Sequence, residues 1–300
     1  MLKKLTALML CAVTVMSVTG CGAKSTSSVA SNKLKVSVTF NAMKEFTEAV
    51  GKDKVEISTI IPDGTEPHDF EIKAKDMVAI SSAKILVYSG MGMEKWVADA
   101  VKSSGNKNLI AVEASKGVTP IKNTDSVTSS ETQYDPHVWI SLKGAETETK
   151  NIEAALAKAD PTNSAYYKKN CDSFVSQLES LYKEYDAKFK SVKQKDFVTG
   201  HAAFAYLCRD FGLTQNSVED VFAEGEPSAQ SLKKLIEFCK KNDVKTIFVE
   251  SMVSPAVSKT LASSVGANVK TIYTIESSED SKTYLQRMKD NLSEIYSSIS

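Results

Sequence analysis

"SAYYKKNCDSFVSQLESLYKEYDAKFKSV" (residues 164–192) contains no glycine and no proline. Phe174, Leu178, Leu181 and Tyr185 recur at three- and four-residue spacing, which places them on one face of an α-helix. The stretch reads as one long helix, set off from a shorter helical segment that begins near Lys143 by Pro161 in "ADPTN". A helix satisfies its backbone hydrogen bonds internally, so a connector of this kind is a stiff spine, not a hinge.

What the spine joins is read from its flanks. Upstream, "KLKVSVTF" (33–40), "KVEISTII" (54–61), "KILVYSG" (84–90) and "NLIAVE" (108–113) read as strands. They alternate with helical patterns in "NAMKEFTEAVG" (41–51), "AKDMVAISSA" (74–83) and "MEKWVADAVKSSG" (93–105). Downstream, strands in "DFVTG" (196–200), "VKTIFVE" (244–250) and "NVKTIYT" (268–274) alternate with helices in 201–212, 228–242, 254–266 and 281–299. Such alternation predicts mostly parallel sheets with helices on both faces. The expected organisation is an N-terminal α/β lobe over 33–162, a linker helix over 163–192 and a C-terminal α/β lobe over 193–300, each lobe with its own core.

The first 20 residues, "MLKKLTALMLCAVTVMSVTG", have a basic start at Lys3 and Lys4, then an apolar run without an acidic residue. This is the pattern of a secretory signal peptide, too short for a comfortable membrane span. "SVTGC" resembles the bacterial lipobox, which makes Cys21 the expected lipidated N-terminus of the mature protein. The Ser/Thr-rich residues 21–32 then read as a flexible tether.

Loss of Lys3 and Lys4 reduces the 37 basic residues to 35 against 37 acidic ones, so the mature chain is close to neutral. That balance argues against nucleic acid as a partner. Of five cysteines, Cys171, Cys208 and Cys239 remain after Cys11 is removed and Cys21 is modified. Their neighbours are apolar at helical spacing, which favours buried free thiols over ligands, with a Cys208–Cys239 bridge as the alternative.

The chain has only three histidines. His68 in "IPDGTEPHDFE" and His201 in "VTGHAAF" each follow the carboxyl end of a predicted strand, where open α/β sheets bind ligands. His137 in "YDPHVWIS" precedes the mid-chain helices, and Glu276 in "VKTIYTIES" follows another strand. Taken singly, each is an ordinary turn or loop residue. Together, two groups from each lobe could make a four-coordinate metal site of three imidazoles and one carboxylate. No H-E-x-x-H motif, Walker loop or G-x-S-x-G occurs, and "SGMGME" (89–94) lacks the spacing of a dinucleotide-binding loop.

"PDGTEPHDFE", "SGMGMEKW", "DPHVWIS", "TGHAAFAYLCRDFGL", "EGEPSAQSLKKLIEFCKKNDVKTIFVES" and "YLQRMKDNL" resemble, in this order, the zinc and manganese substrate-binding lipoproteins of bacterial ABC importers. The resemblance runs from about Lys33 to the C-terminus. It implies two Rossmann-like α/β lobes joined by a single long rigid helix, with one metal in the inter-lobe cleft. It also implies His68, His137, His201 and Glu276 as ligands, with Glu66 and Asp69 as competitors of Glu276. Trp96, Trp139 and Glu226 fall at family positions taken as structural. Zinc members often carry a His-rich acidic loop before the second histidine. Residues 115–135 here have no histidine and few acids, which argues against auxiliary metal scavenging.

Imidazole suits zinc, copper, nickel or iron, whereas manganese prefers oxygen-rich sets, so three nitrogens to one carboxylate favour Zn2+ over Mn2+. Manganese members of the family typically carry a carboxylate where this chain has His201. The expected protein is a monomeric receptor, lipid-anchored on the outer face of the cytoplasmic membrane, that hands zinc to an ABC permease and is not an enzyme. The alternatives are a manganese receptor of the same family, a zinc hydrolase and an adhesin stabilised by its metal.

Overall fold

The computed structural model describes residues 33–123, 133–222, 228–250, 255–278 and 280–300. The expected signal peptide, Cys21, the expected tether and Glu226 lie outside the described residues.

The first lobe holds four parallel strands, β1 (Leu34–Val38), β2 (Val55–Thr59), β3 (Ile85–Tyr88) and β4 (Ile110–Glu113), in the order β2-β1-β3-β4. Helices α1 (Asn41–Gly51), α2 (Ala74–Ser82) and α3 (Val97–Ser103) connect them. Helix α4 (Leu142–Ala159) and a 3-10 turn at Pro161–Asn163 lead into α5 (Ser164–Ser191), the long helix. The second lobe repeats the plan with β5 (Asp196–Thr199), α6 (Ala205–Phe211), β6 (Thr214–Ser217), α7 (Ala229–Lys241), β7 (Thr246–Glu250), α8 (Ala256–Val265), β8 (Asn268–Ile272) and α9 (Tyr284–Ile299). Its parallel sheet has the order β6-β5-β7-β8. Ile85, Leu86 and Val87 on β3 are all fully buried, as a strand covered on both faces requires.

Along α5 the buried residues are Tyr167, Cys171, Val175, Leu178, Leu181, Tyr185 and Phe189, one stripe at three- and four-residue spacing. Each lobe was expected to have its own core, but the stripe carries one continuous hydrophobic cluster from Val36 and Val87 through Leu178 and Phe189 to Phe197 and Phe248. Separate small clusters remain on the outer faces, around Ile80 and Leu86 and around Ile247 and Leu261. The cause is aromatic bridging: Phe189 packs on Phe211 and on Tyr296, and Phe174 packs on Phe46 and Tyr284.

Three local departures from the sequence reading have physical causes. Strand β6 has the sequence TQNS, which is polar because it is an edge strand and only partly buried. Helix α3 starts four residues late because Gly90, Met91 and Gly92 form a left-handed turn, with φ of 98°, 55° and 90°. The Glu94 carboxylate stabilises this turn by accepting from the Ser89 and Gly90 N–H groups and the Thr39 hydroxyl. Helix α6 begins at Ala205, so His201 lies in an irregular segment and not in the first helical turn. Cys171, Cys208 and Cys239 are buried free thiols, with no bridge between Cys208 and Cys239.

Candidate metal centre

His68, His137, His201 and Glu276 are all buried where the two lobes meet. Ligand atoms of the three histidines lie within 4.8 Å of one another. His68 Nε2 is 3.1 Å from His137 Nε2, and Glu276 Oε1 stands 4.0 Å and 3.8 Å from these two nitrogens. Ligands about 2.0–2.1 Å from a tetrahedral zinc ion are ~3.3 Å apart, so the cluster has the dimensions of such a site. Glu66 joins His68 and Glu276 in a second group of donor atoms, whereas Asp69 is exposed and belongs to neither group.

Each donor is held by its local sequence. Asp135 Oδ1 accepts from both the backbone N–H of His137, at 2.8 Å, and its Nδ1, at 2.9 Å. This leaves His137 Nε2 with a lone pair directed at the cluster. The next residues form a 3-10 turn, Val138–Ile140, that runs into α4 at its N-cap, Ser141. Trp139 is fully buried and donates from Nε1 to the Thr274 carbonyl at 2.7 Å, while the Tyr284 hydroxyl donates to the Trp139 carbonyl. Gly144 is required here, since a Cβ would lie 2.1 Å from the Val138 oxygen.

His68 follows β2 on a loop turned at Gly64 (φ 81°), and its backbone N–H donates to Glu66 Oε1 at 3.2 Å. Its Nδ1 is buried with no hydrogen-bond partner among the described residues. His201 follows β5, and its N–H donates to the buried carboxyl of Glu250, at the end of β7, at 3.1 Å. Gly200 lets that carboxyl approach, because a Cβ there would meet Glu250 Oε2 at 2.5 Å. His201 Nε2 donates to the Val221 carbonyl at 2.9 Å.

Glu276 is a residue of the second lobe by sequence, yet its segment is bonded to the first. Its carbonyl accepts from Asn41 N–H, and Ser278 N–H donates to Asp63 at 2.8 Å. The Thr274 hydroxyl donates to Glu276 Oε2, and Ile275 between them has φ 61°, a conformation a β-branched residue adopts only under constraint.

Burial, then the neighbouring His137 and His201, hold the pKa of His68 well below the usual histidine value. Burial, then His137, depresses His201 to about 3. Both rings are neutral at physiological pH, the state that ligates metal. Burial raises Glu250 to about 8. Asp135 and Glu250 were not singled out from sequence. The signal for Asp135 was available, an acid two residues before a histidine with proline between, whereas Glu250 is only the last residue of an apolar strand.

Two parallel-sheet lobes on one rigid helix, with a buried donor cluster in the seam, define a two-lobed solute-binding protein. The chain belongs to the family described as zinc-uptake complex component A, periplasmic, whose sequence model matches residues 36–298. A protein of Treponema pallidum (strain Nichols) is 46% identical over 274 residues, 88% of this chain and 87% of its own. The high-affinity zinc uptake system protein ZnuA of Bacillus subtilis (strain 168) is 37% identical over 321 aligned residues, covering 100% of this chain and 99% of that one. Among solved structures, the laminin-binding protein Lmb of Streptococcus agalactiae, described as bifunctional with adhesin and metal transporting activity, superposes with TM-score 0.82 at 34% identity. That match covers 89% of this chain and 100% of Lmb.

Proposed function

We propose that the protein is an extracytoplasmic receptor that captures one zinc ion at His68, His137, His201 and Glu276 and delivers it to an ABC import permease. Zinc is the cargo, and the protein does no chemistry on it. The observation that carries this reading is the pair of imidazole nitrogens 3.1 Å apart in a buried seam. The tie from Asp135 to Nδ1 commits His137 Nε2 to a lone pair, so the cluster is organised to receive a cation. Three nitrogens with one carboxylate favour zinc over manganese. The family, and the zinc-uptake function printed for the Bacillus subtilis relative, support the same cargo. The lipobox-like "SVTGC" supports anchoring through a lipid on Cys21.

Native mass spectrometry of the purified protein with metal analysis, followed by competition titration against a chelator, tests the reading. One zinc per chain is expected. His68→Ala, His137→Ala and His201→Ala should each weaken binding by orders of magnitude without unfolding the metal-free protein. Glu276→Ala should do less, because water can replace a carboxylate. Wild-type affinity in any histidine variant removes that residue from the site. Adhesion is a second reading, supported by the printed description of Lmb. A metal that merely stabilised an adhesin would be needed for folding, so a chelated sample that stays folded and rebinds zinc favours the receptor.

A further inference from the structure

Phe222 is 5% exposed, on the segment that follows β6 in the second lobe. Its N–H donates to Asp220 Oδ1, and the carbonyl of the preceding Val221 receives His201 Nε2. The phenyl ring reaches across the seam to the first lobe. Its centroid is 5.4 Å from that of His68, with the rings at 76°. Lys95, also of the first lobe, places Nζ over the same ring, 5.3 Å from its centroid. A second aromatic, the fully buried Trp139, stands 5.3 Å from His137. The imidazole cluster is thus walled in part by aromatic carbon. Of the nearby carboxylates, Glu66 already uses Oε1 to receive the His68 N–H.

The consequence concerns coordination number. Zinc is satisfied by four ligands in a tetrahedron. Manganese, like other hard divalent cations, favours octahedral oxygen sets. With Glu66 Oε1 already bonded to the His68 N–H, water is the readiest source of the oxygens that a site with three imidazoles and one carboxylate lacks. We propose that Phe222 is a specificity-determining residue, whose ring, held across the seam in a T-shaped contact with His68 and under Lys95, keeps water from the bound ion and so favours zinc over manganese. The proposal rests on the assignment of zinc to this cluster made above.

The test uses Co2+ as a spectroscopic probe and Zn2+/Mn2+ competition as the affinity readout, on wild type, Phe222→Ala and Phe222→Leu. Wild type loaded with Co2+ should show the intense visible bands of a four-coordinate ion. Phe222→Ala should show the weak bands of five- or six-coordinate cobalt, and its zinc-to-manganese affinity ratio should fall by roughly tenfold or more. Phe222→Leu keeps apolar bulk and should retain the wild-type spectrum and ratio. Intense bands and an unchanged ratio in Phe222→Ala would overturn the proposal, as would a six-coordinate spectrum in wild type or a leucine variant that behaves like alanine. If circular dichroism shows Phe222→Ala to be unfolded, Phe222→Val carries the same readouts. Failure of wild type to bind zinc at all would instead overturn the assignment of zinc to the cluster, so the two failures are distinguishable.

Discussion

The imidazole of His137 is useful to a metal only in one tautomer, and Asp135 fixes it by receiving Nδ1 at 2.9 Å. Asp135→Asn can present its amide NH2 to that nitrogen, which would favour the tautomer with the Nε2 lone pair lost. Zinc affinity should then fall about 10–100-fold with the fold unchanged, measured by chelator competition. Wild-type affinity would mean that the ring is oriented by packing on Trp139 alone. In the proposed ligand set, His201 is the residue on which the choice between zinc and manganese turns. His201→Glu changes three nitrogens and one carboxylate to two and two, so the zinc-to-manganese affinity ratio should fall in competition titrations at neutral pH. An unchanged or increased ratio would contradict a ligand role for His201. The histidines were legible in the sequence because there are only three and each falls at a strand end or in a loop. Phe222 was not legible, because a phenylalanine in a loop signals nothing until its ring is found beside His68.

At the scale of elements, the 3-10 turn at Val138–Ile140 and the start of α4 share a backbone approach that only glycine permits. Gly144→Ala would put Cβ 2.1 Å from the Val138 oxygen, a contact that backbone atoms must move to relieve. A loss of about 2–3 kcal/mol in folding stability is expected from urea denaturation. Helix α5 makes a second prediction. Because its buried stripe joins both lobes in one cluster, Leu178→Ala should cost about 2–5 kcal/mol and lower a single melting transition. Two separate calorimetric transitions would show that the lobes fold independently. The long helix was legible because an uninterrupted amphipathic period survives over its whole length. Strand β6 was not, since TQNS has neither alternation nor apolar content and exists because β5 offers it a partner.

For the whole molecule, the alternation of strands and helices foretold two parallel sheets, but not the bond network that ties the Glu276 segment to Asn41 and Asp63. Hydrogen bonds between residues more than two hundred positions apart leave no trace in local pattern. The buried carboxyls also shape stability. The folded-state pKa of Glu250 is raised by burial to about 8, whereas in the unfolded chain it ionises near the ordinary value of 4.5. Between those values the unfolded state binds fewer protons, so this group's stabilisation is full below pH 4.5 and is lost as pH rises toward 8. The depressed histidines contribute with the opposite sign until their unfolded-state rings lose their protons, which is nearly complete about one pH unit above 6.5. Melting temperature of the metal-free protein should therefore decline as pH rises from about 7.5 toward 8, and Glu250→Gln should flatten that decline. An identical slope in both proteins would contradict an uncharged Glu250. The central claim is that one zinc ion sits among three imidazoles and a carboxylate, and zinc K-edge X-ray absorption of the loaded protein tests it most directly. Three imidazole nitrogens and one oxygen at about 2.0–2.1 Å, without sulfur, are expected. A sulfur shell, or a shell of six oxygens, would contradict it.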